Sequence, residues 1–291
     1  TGCGTRGVYF DVNDGREPSA VDGGNGRMAA LNRSKHGPDS LYNCIERGWK
    51  FYDERPWLAG VFYWTGFDYR GEPNPMKYPA TGSQFGILDY CGFPKDEAFY
   101  LKAWWTDETI LHIFPHWNLQ GHEGEEVDVW VYSNCDEVEL IVNGKRLGRK
   151  EMPKNGHLEW KAVYKPGYVK AVGYKNGKRI KVEKIETTDV ATRIVLDADR
   201  TSLVPNNQDV AVCKIELQDK KKRFVSDACL NLKLKVSGPI RILGVGNGDP
   251  AYQTTERPAD SNARTYEMKS FNGLAQVLLQ STKETGEAIL T

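Results

Sequence analysis

Leu58-Ala59-Gly60-Val61-Phe62-Tyr63-Trp64 runs directly into Thr65-Gly66-Phe67-Asp68-Tyr69-Arg70-Gly71-Glu72-Pro73. The first seven residues are almost continuously apolar. That pattern suits a strand buried on both faces, as in a parallel sheet covered by helices. From Thr65 to about Gln84 the chain turns polar and rich in Gly and Pro, which reads as a long loop. Upstream, Asp39-Ser40 can cap a helix whose apolar stripe is Leu41, Ile45, Trp49 and Tyr52. Pro56 stops it. Downstream, Pro94-Lys95-Asp96-Glu97 opens a second helix, with Pro in the first turn and acids at the positive end of the dipole. Its apolar face should use Phe99, Ala103 and Trp104. Helix, buried strand, loop and helix make part of an α/β unit. One strand cannot close a sheet, so residues 1–112 read as the tail of a larger α/β domain.

From about residue 123 the period becomes two. Val127, Val129 and Val131 alternate with Asp128, Trp130 and Tyr132, and Val138, Leu140 and Val142 repeat the device. Asn143-Gly144 and Asn176-Gly177 are two-residue hairpin signals. Residues 113–190 therefore read as a small antiparallel β-sandwich. A second sandwich is expected over 191–291, with strands at 194–198, 210–217, 230–236 and 274–279. Gly244, Gly246 and Gly248 mark a glycine-rich turn between them.

The 291 residues carry 39 Lys+Arg and 39 Asp+Glu, a formal charge of zero. A nucleic-acid binder needs excess cations to displace counterions, and a polybasic membrane-surface protein needs them too. Neither class fits. No run of roughly 18 apolar residues is available to span a bilayer. The chain opens on Thr1 without a Met and closes on Glu287-Ala288-Ile289-Leu290-Thr291, which reads as a strand cut short. Both ends are expected to be interior to a longer protein.

Six cysteines stand at 3, 44, 91, 135, 213 and 229, with no CxxC pair. Cys213 and Cys229 share one expected domain and could be bridged, although buried free thiols are the simpler reading. His112 and His116 have i, i+4 spacing, but Pro115 interrupts any helix that would put them on one face. No metal or other cofactor is called for. The run Gly244-Val245-Gly246-Asn247-Gly248-Asp249 lacks the GxxxxGK[ST] pattern of a phosphate loop and reads as a turn. Lys220-Lys221-Lys222-Arg223 reads as a solvated hairpin tip.

Trp64 is the most informative single residue. A Trp at the C-terminal end of a barrel strand can present its flat face to a sugar ring, or it can fill the barrel mouth. Asp68, four residues on, could lie near the same cleft. The other acids of the region are Asp14, Glu17, Asp22, Glu72 and Asp89. Glycoside hydrolysis needs two carboxyls about 5 to 9 Å apart. Nothing in the spacing pairs Asp68 with a second acid.

These residues resemble a known family. Phe62 to Pro73 resembles the last barrel strand and loop of family 2 glycoside hydrolases, most closely the β-galactosidases of Bacteroides-type bacteria. Thr5-Arg6-Gly7-Val8-Tyr9 resembles the stretch that follows the nucleophile in that family. Gln84-Phe85-Gly86-Ile87-Leu88-Asp89-Tyr90-Cys91-Gly92-Phe93-Pro94-Lys95-Asp96 resembles its closing barrel segment. The two sandwiches resemble its C-terminal accessory domains, including Gly246-Asn247-Gly248-Asp249-Pro250.

The resemblance implies the end of a (β/α)8 barrel followed by two immunoglobulin-like sandwiches. It also implies a retaining mechanism with one Glu as acid/base and a second as nucleophile. Both would lie upstream of Thr1, so the chain alone should be inactive. Trp64 matches the aromatic at the base of the sugar subsite, and Asp68 lies in the same motif as a substrate-binding candidate. Related β-glucuronidases hold the sugar carboxylate with an Asn-x-Lys motif, where this chain has Ser83-Gln84-Phe85. A terminal β-galactoside is therefore the expected carbohydrate substrate. Export to the periplasm or outside the cell is implied by the same resemblance. The competing reading is a non-catalytic carbohydrate-binding or structural module, with Trp130, Tyr132 and Trp160 as an aromatic row.

Overall fold

The computed structural model describes residues 4–9, 15–16, 44–73 and 77–291. The chain divides into two compact units, Thr1–Thr187 and Thr188–Thr291. The cap at Asp39-Ser40, and Leu41 of the expected helix stripe, lie outside the described residues, as do Asp14, Glu17 and Asp22.

In the first unit, helix α1 spans Cys44–Asp53 and helix α2 spans Asp96–Trp105. Between them, residues 58–64 form no strand. This corrects the reading of the apolar run as a strand buried on both faces. Val61 is exposed, and the Phe62 side chain is fully so. The physical reason is pairing: a strand needs neighbours for its N–H and C=O groups. Among the described residues no strand lies beside this run. The nearest ladder contact is an isolated parallel bridge between Phe67 and Leu88. A barrel is thus not seen among the described residues.

The rest of the unit is antiparallel sheet. Its strands are β1 Leu111–Phe114, β2 Glu126–Ser133, β3 Glu137–Val142, β4 Lys145–Glu151, β5 Leu158–Val163, β6 Tyr168–Lys175 and β7 Lys178–Glu186. They form sheets ordered β1-β2-β5 and β4-β3-β6-β7. Both hairpins follow from sequence: Asn143 and Gly144 have φ of 48° and 83°, and Asn176 and Gly177 have 51° and 73°. Two successive positive φ angles fit the tight turn whose twist matches a hairpin. Val127, Val129, Val131, Val138, Leu140, Val169 and Ala171 are sealed in the core.

Strand β2 alternates in sequence but is buried on both faces. Asp128, Trp130 and Tyr132 are buried along with the valines between them. Tyr132 meets Tyr100 of α2 edge to face, with centroids 5.3 Å apart. Trp130 stacks on His157 at 3.8 Å. Helix α2 and the turn before β5 therefore cover the outer face of the β1-β2-β5 sheet. Full burial of such side chains contributes about 1.5–3 kcal/mol each. This packing also turns α2. Tyr100, Leu101 and Ala103 are its buried apolar residues, while Phe99 and Trp104 of the expected face are only half-buried. The helix starts at Asp96, two residues after Pro94, with Lys95 as N-cap, so Pro94 lies before the first turn rather than in it.

Polar contacts tie α1 to the turn before β5. Trp49 donates its indole N–H to Asn155 Oδ1 at 3.0 Å, and Asp53 Oδ2 accepts from Asn155 Nδ2 at 2.8 Å and Lys154 Nζ at 2.6 Å. Glu46 reaches His157 Nδ1 at 2.6 Å. Tyr100 donates to the Asn155 carbonyl at 2.8 Å.

The second unit contains β8 Arg193–Ala198, β9 Val210–Gln218, β10 Asn231–Ser237, β11 Ile240–Gly246, β12 Thr265–Lys269, β13 Leu274–Ser281 and β14 Ile289–Leu290. A four-stranded sheet β11-β13-β9-β8 faces the three-stranded sheet β12-β10-β14. Strict alternation builds its core: Ala211, Cys213, Ile215 and Leu217 from β9 meet Leu232, Leu234 and Val236 from β10. Gly244 and Gly246 do not form the expected turn. They belong to β11, whose register against β13 shifts between Ile242 and Gly244. The alternating Ile240-Arg241-Ile242 carries the strand into this bulge. A Cβ on Gly244 would stand 3.3 Å from the Glu256 carbonyl oxygen. The run at 220–223 is a turn beside Asp219, which is sealed and accepts the Lys221 and Arg223 N–H groups at 2.8 and 3.0 Å.

Candidate functional site

Residues 65–70 lie against residues 82–88 through backbone bonds. Gly66 and Thr65 carbonyls accept from Leu88 at 2.9 Å and Ile87 at 3.1 Å, Asp68 donates its N–H to the Leu88 carbonyl at 3.0 Å, and Ser83 donates to Tyr69 at 2.8 Å. The approach is so close that a Cβ on Gly86 would lie 2.2 Å from the Asp68 nitrogen. Only glycine fits there.

Asp68 is buried beneath this pairing. Its Oδ1 accepts the Gly86 N–H and the Lys95 ammonium, each at 2.8 Å. Lys95 is itself sealed, and it also donates to the carbonyls of Gly4 at 2.6 Å and Gln84 at 3.2 Å. An ammonium has three N–H groups, and three acceptors surround it. Burial raises the Asp68 carboxyl to about 6, against the opposing pull of Lys95. Beside this pair, Asp89 Oδ2 accepts from Arg6 Nε at 2.6 Å, and its Oδ1 accepts the N–H groups of Cys91 and Phe93 at 2.8 and 3.0 Å. Thr5 donates to Gln84 Oε1. Tyr9 donates to Asp96 Oδ2 at 3.0 Å. The three sequence segments at 5–9, 62–73 and 84–96 are thus joined by one buried polar lattice.

Trp64 is 62% exposed. Its N–H donates to Tyr69 Oη at 3.3 Å, and the two rings meet edge to face at 5.9 Å. Tyr69 in turn donates to Glu72. Acceptance by the Glu72 carboxylate pushes the Tyr69 phenol up. The Trp64 edge is fixed while part of its surface meets solvent. A neighbouring concavity of about 220 Å³ is lined by Trp49, Phe62, Trp64 and Trp105, among others. An anchored indole can pack against the C–H face of a pyranose, as aromatic rings pack on apolar surfaces generally.

Of the two residues expected to bind substrate, Trp64 is open to solvent and Asp68 is engaged inside. Of the acids in these segments, Asp68 and Asp89 face cations, and Glu72 holds Tyr69. Sequence reasoning did not single out Lys95 or Arg6. Their one advance signal was adjacency to the motifs that carry the resemblance. Among the described residues no cluster of His, Cys, Asp and Glu could hold a metal ion. His112 instead binds Asp96 Oδ1 at 2.7 Å and stacks on Phe99. Cys135, Cys213 and Cys229 are free thiols, so Cys213 and Cys229 are not bridged. Trp130, Tyr132 and Trp160 are buried and form no exposed aromatic row.

The chain is thus sheet-rich, with antiparallel sheets in both units and an exposed tryptophan braced at one edge. Residues 194–291 match the glycoside hydrolase family 2 C-terminal domain 5, and residues 124–181 match a domain of unknown function, DUF4982. The chain belongs to glycoside hydrolase family 2. Within that family it is 38% identical over 252 residues to the β-galactosidase BoGH2A of Bacteroides ovatus, an alignment covering 86% of this chain and 28% of that protein. A β-glucuronidase of Formosa agariphila is 27% identical over 69% of the chain and 20% of its own length. The crystal structure of a β-glycosidase from Bacteroides vulgatus superposes with a TM-score of 0.82 at 30% identity, covering all of this chain and 39% of that one. The chain thus spans less than a third of these two curated relatives.

Proposed function

We propose that this chain is the C-terminal region of a retaining, exo-acting β-glycosidase that hydrolyses terminal β-galactosides, with Trp64 forming the floor of the sugar subsite. The observation that carries this is the Trp64 indole, held by Tyr69 at one edge and open to solvent, on a segment that the polar lattice joins to the other two family-like ones. In this reading residues 1–112 contribute the end of a (β/α)8 barrel, and 58–64 becomes a barrel strand when its neighbours are present. Asp68 acts from within: with Lys95 and Gly86 it holds the loop that carries Trp64. The coverage of 28% of BoGH2A supports catalytic carboxylates in polypeptide upstream of Thr1. The chain alone is then catalytically incomplete, because removing acid/base and nucleophile removes both steps of the double displacement.

Galactoside over glucuronide rests on Ser83-Gln84-Phe85. Ser83 and Gln84 are buried; Ser83 Oγ accepts the Tyr69 N–H at 3.2 Å, and Gln84 Nε2 donates to the Gly15 carbonyl at 2.9 Å. Neither supplies a cation for a sugar carboxylate. The test is an assay of two proteins, residues 1–291 and the same chain extended upstream in its reading frame. Each is offered an aryl β-galactoside and an aryl β-glucuronide. Turnover by the extended protein alone, and preference for the galactoside, are expected. Turnover by residues 1–291, lost on mutating an acid within 1–112, would overturn the reading. Preference for the glucuronide would overturn its substrate.

A further inference from the structure

Strand β8 ends the sheet order β11-β13-β9-β8, and among the described residues no strand pairs with its outer side. Its register on β9 sets Ile194, Leu196 and Ala198 beside Leu217, Ile215 and Cys213. Those three are core residues, so Ile194, Leu196 and Ala198 share the inward face. Yet Ile194 is 56% exposed and Leu196 40%. Just past the strand, Asp199 donates its N–H to the Val212 carbonyl at 2.9 Å. Bonds alternate along an antiparallel ladder, so Val195 and Asp197 bond β9 while Ile194 and Leu196 turn their N–H and C=O groups to the free edge. The outer face carries one charge of each sign, Arg193 and Asp197, both exposed and two residues either side of Val195. Asp197 lies 3.5 Å from Lys214 of β9. The edge strand β4 of the first unit is guarded differently. Lys145, Arg146, Arg149 and Lys150 run along it, and such a strand repels a copy of itself.

We infer that the β8 edge is a self-association surface, through which two copies of the chain pair antiparallel about a two-fold axis at Val195. A two-fold contact is made by the same patch on both copies, so the patch must be complementary to itself. Centred on Val195, the pairing sets Ile194 opposite Leu196 of the second copy, and the outward-turned groups of both exchange N–H···O bonds. Each Val195 meets its counterpart between those bonded pairs. On the outer face Arg193 stands opposite Asp197 of the second copy, and the axis repeats that pair. Opposite charges directly across a ladder stabilise it, and like charges oppose it. An axis at Arg193 or at Asp197 would set like against like, so the charges also select the register. On the inner face Ile194 and Leu196 of the two copies cover one another. Two four-stranded sheets then join into one of eight. This surface lies in the second unit and stands apart from the glycosidase reading.

The test is sedimentation equilibrium of residues 1–291 and of charge-reversed variants. The unsubstituted chain should rise from 32.8 kDa toward twice that mass as concentration increases. Arg193→Asp sets acid against acid across the axis, and Asp197→Arg sets base against base. Each alone should weaken dimerisation by about tenfold or more. An equal mixture of the two variants should reassociate, because each supplies the charge that the other lacks. The double variant Arg193→Asp with Asp197→Arg should dimerise as the unsubstituted chain does. Amide exchange at Ile194 and Leu196 of the unsubstituted chain should slow as concentration rises, with that at Val195 unchanged, which decides the matter should a variant fold poorly. A chain that stays at 32.8 kDa up to about 1 mM would overturn the inference. So would a dimer indifferent to the single reversals, or reversed variants that stay apart when mixed. A failed glycosidase assay bears on none of these results.

Discussion

Lys95 and Asp68 lie 2.8 Å apart with both side chains closed to water, and the same ammonium reaches the Gly4 carbonyl 91 positions away in sequence. The pair is the knot of the first unit's polar lattice. Removing one partner of a buried ion pair strands the other, at about 3–5 kcal/mol. Lys95→Met should therefore destabilise the first unit by about that amount in urea unfolding. The double variant Lys95→Met with Asp68→Asn should lose less than the two single losses combined, because no charge is then orphaned.

The same carboxyl gives a pH signature. Asp68 has a folded value near 6, raised by burial above its ordinary 3.8. A raised value means the folded state holds a proton that the unfolded state has released. Its contribution to stability is fully present below about 4 and is lost as pH rises through about 6. Asp68→Asn should flatten the profile of unfolding free energy between those values. An unchanged slope would contradict the burial argument.

The docking of α1 should have a pH window of its own. Burial opposes ionisation of both Glu46 and His157, yet their mutual contact prevails. Glu46 is held low by His157 and Lys50, so its share of stability is lost as pH falls through that lowered value. His157 is held high by Glu159 and Glu46, so its share is fully present below about 6.5 and lost as pH rises through the raised value. Amide exchange across Cys44–Asp53 should be slowest between the two limits. His157→Gln should remove the alkaline limb and leave the acidic one weakened.

Trp130→Ala separates packing from recognition. The ring is buried against His157 at 3.8 Å. Loss of such a side chain costs about 3–5 kcal/mol. Unfolding should move by that amount while galactose binding by the folded upstream-extended protein stays the same. A loss of sugar affinity with unchanged stability would instead favour the carbohydrate-binding reading of the first sandwich.

Much of the sheet structure was legible because its causes are local. Alternation at Val127–Val131 and the Asn-Gly pairs at 143 and 176 needed no knowledge of distant chain. The errors share one source, which is dependence on partners far away in sequence. The run at 58–64 has strand composition, but composition cannot supply neighbouring strands. Strand β2 looks half-solvated until α2 and the turn at His157 cover Trp130 and Tyr132, and that covering also selects Tyr100 and Leu101 rather than Phe99 for the buried face of α2. Gly244 and Gly246 signal a turn when taken alone, and only pairing with β13 makes them part of a strand, with a bulge just before Gly244. Trp64 could be singled out as a candidate because its motif is contiguous. Lys95 and Arg6 were not singled out because a lysine or arginine is buried only when matched, and the matching acids and carbonyls are 11 to 91 positions removed.

The central claim is that Trp64 touches the sugar, and the most direct measurement is kcat/KM of Trp64→Ala in the upstream-extended protein on an aryl β-galactoside, read beside its urea unfolding midpoint. A fall of tenfold or more, about 1.4 kcal/mol of transition-state stabilisation, with an unmoved midpoint is the predicted result. An unchanged kcat/KM in a folded variant would contradict it.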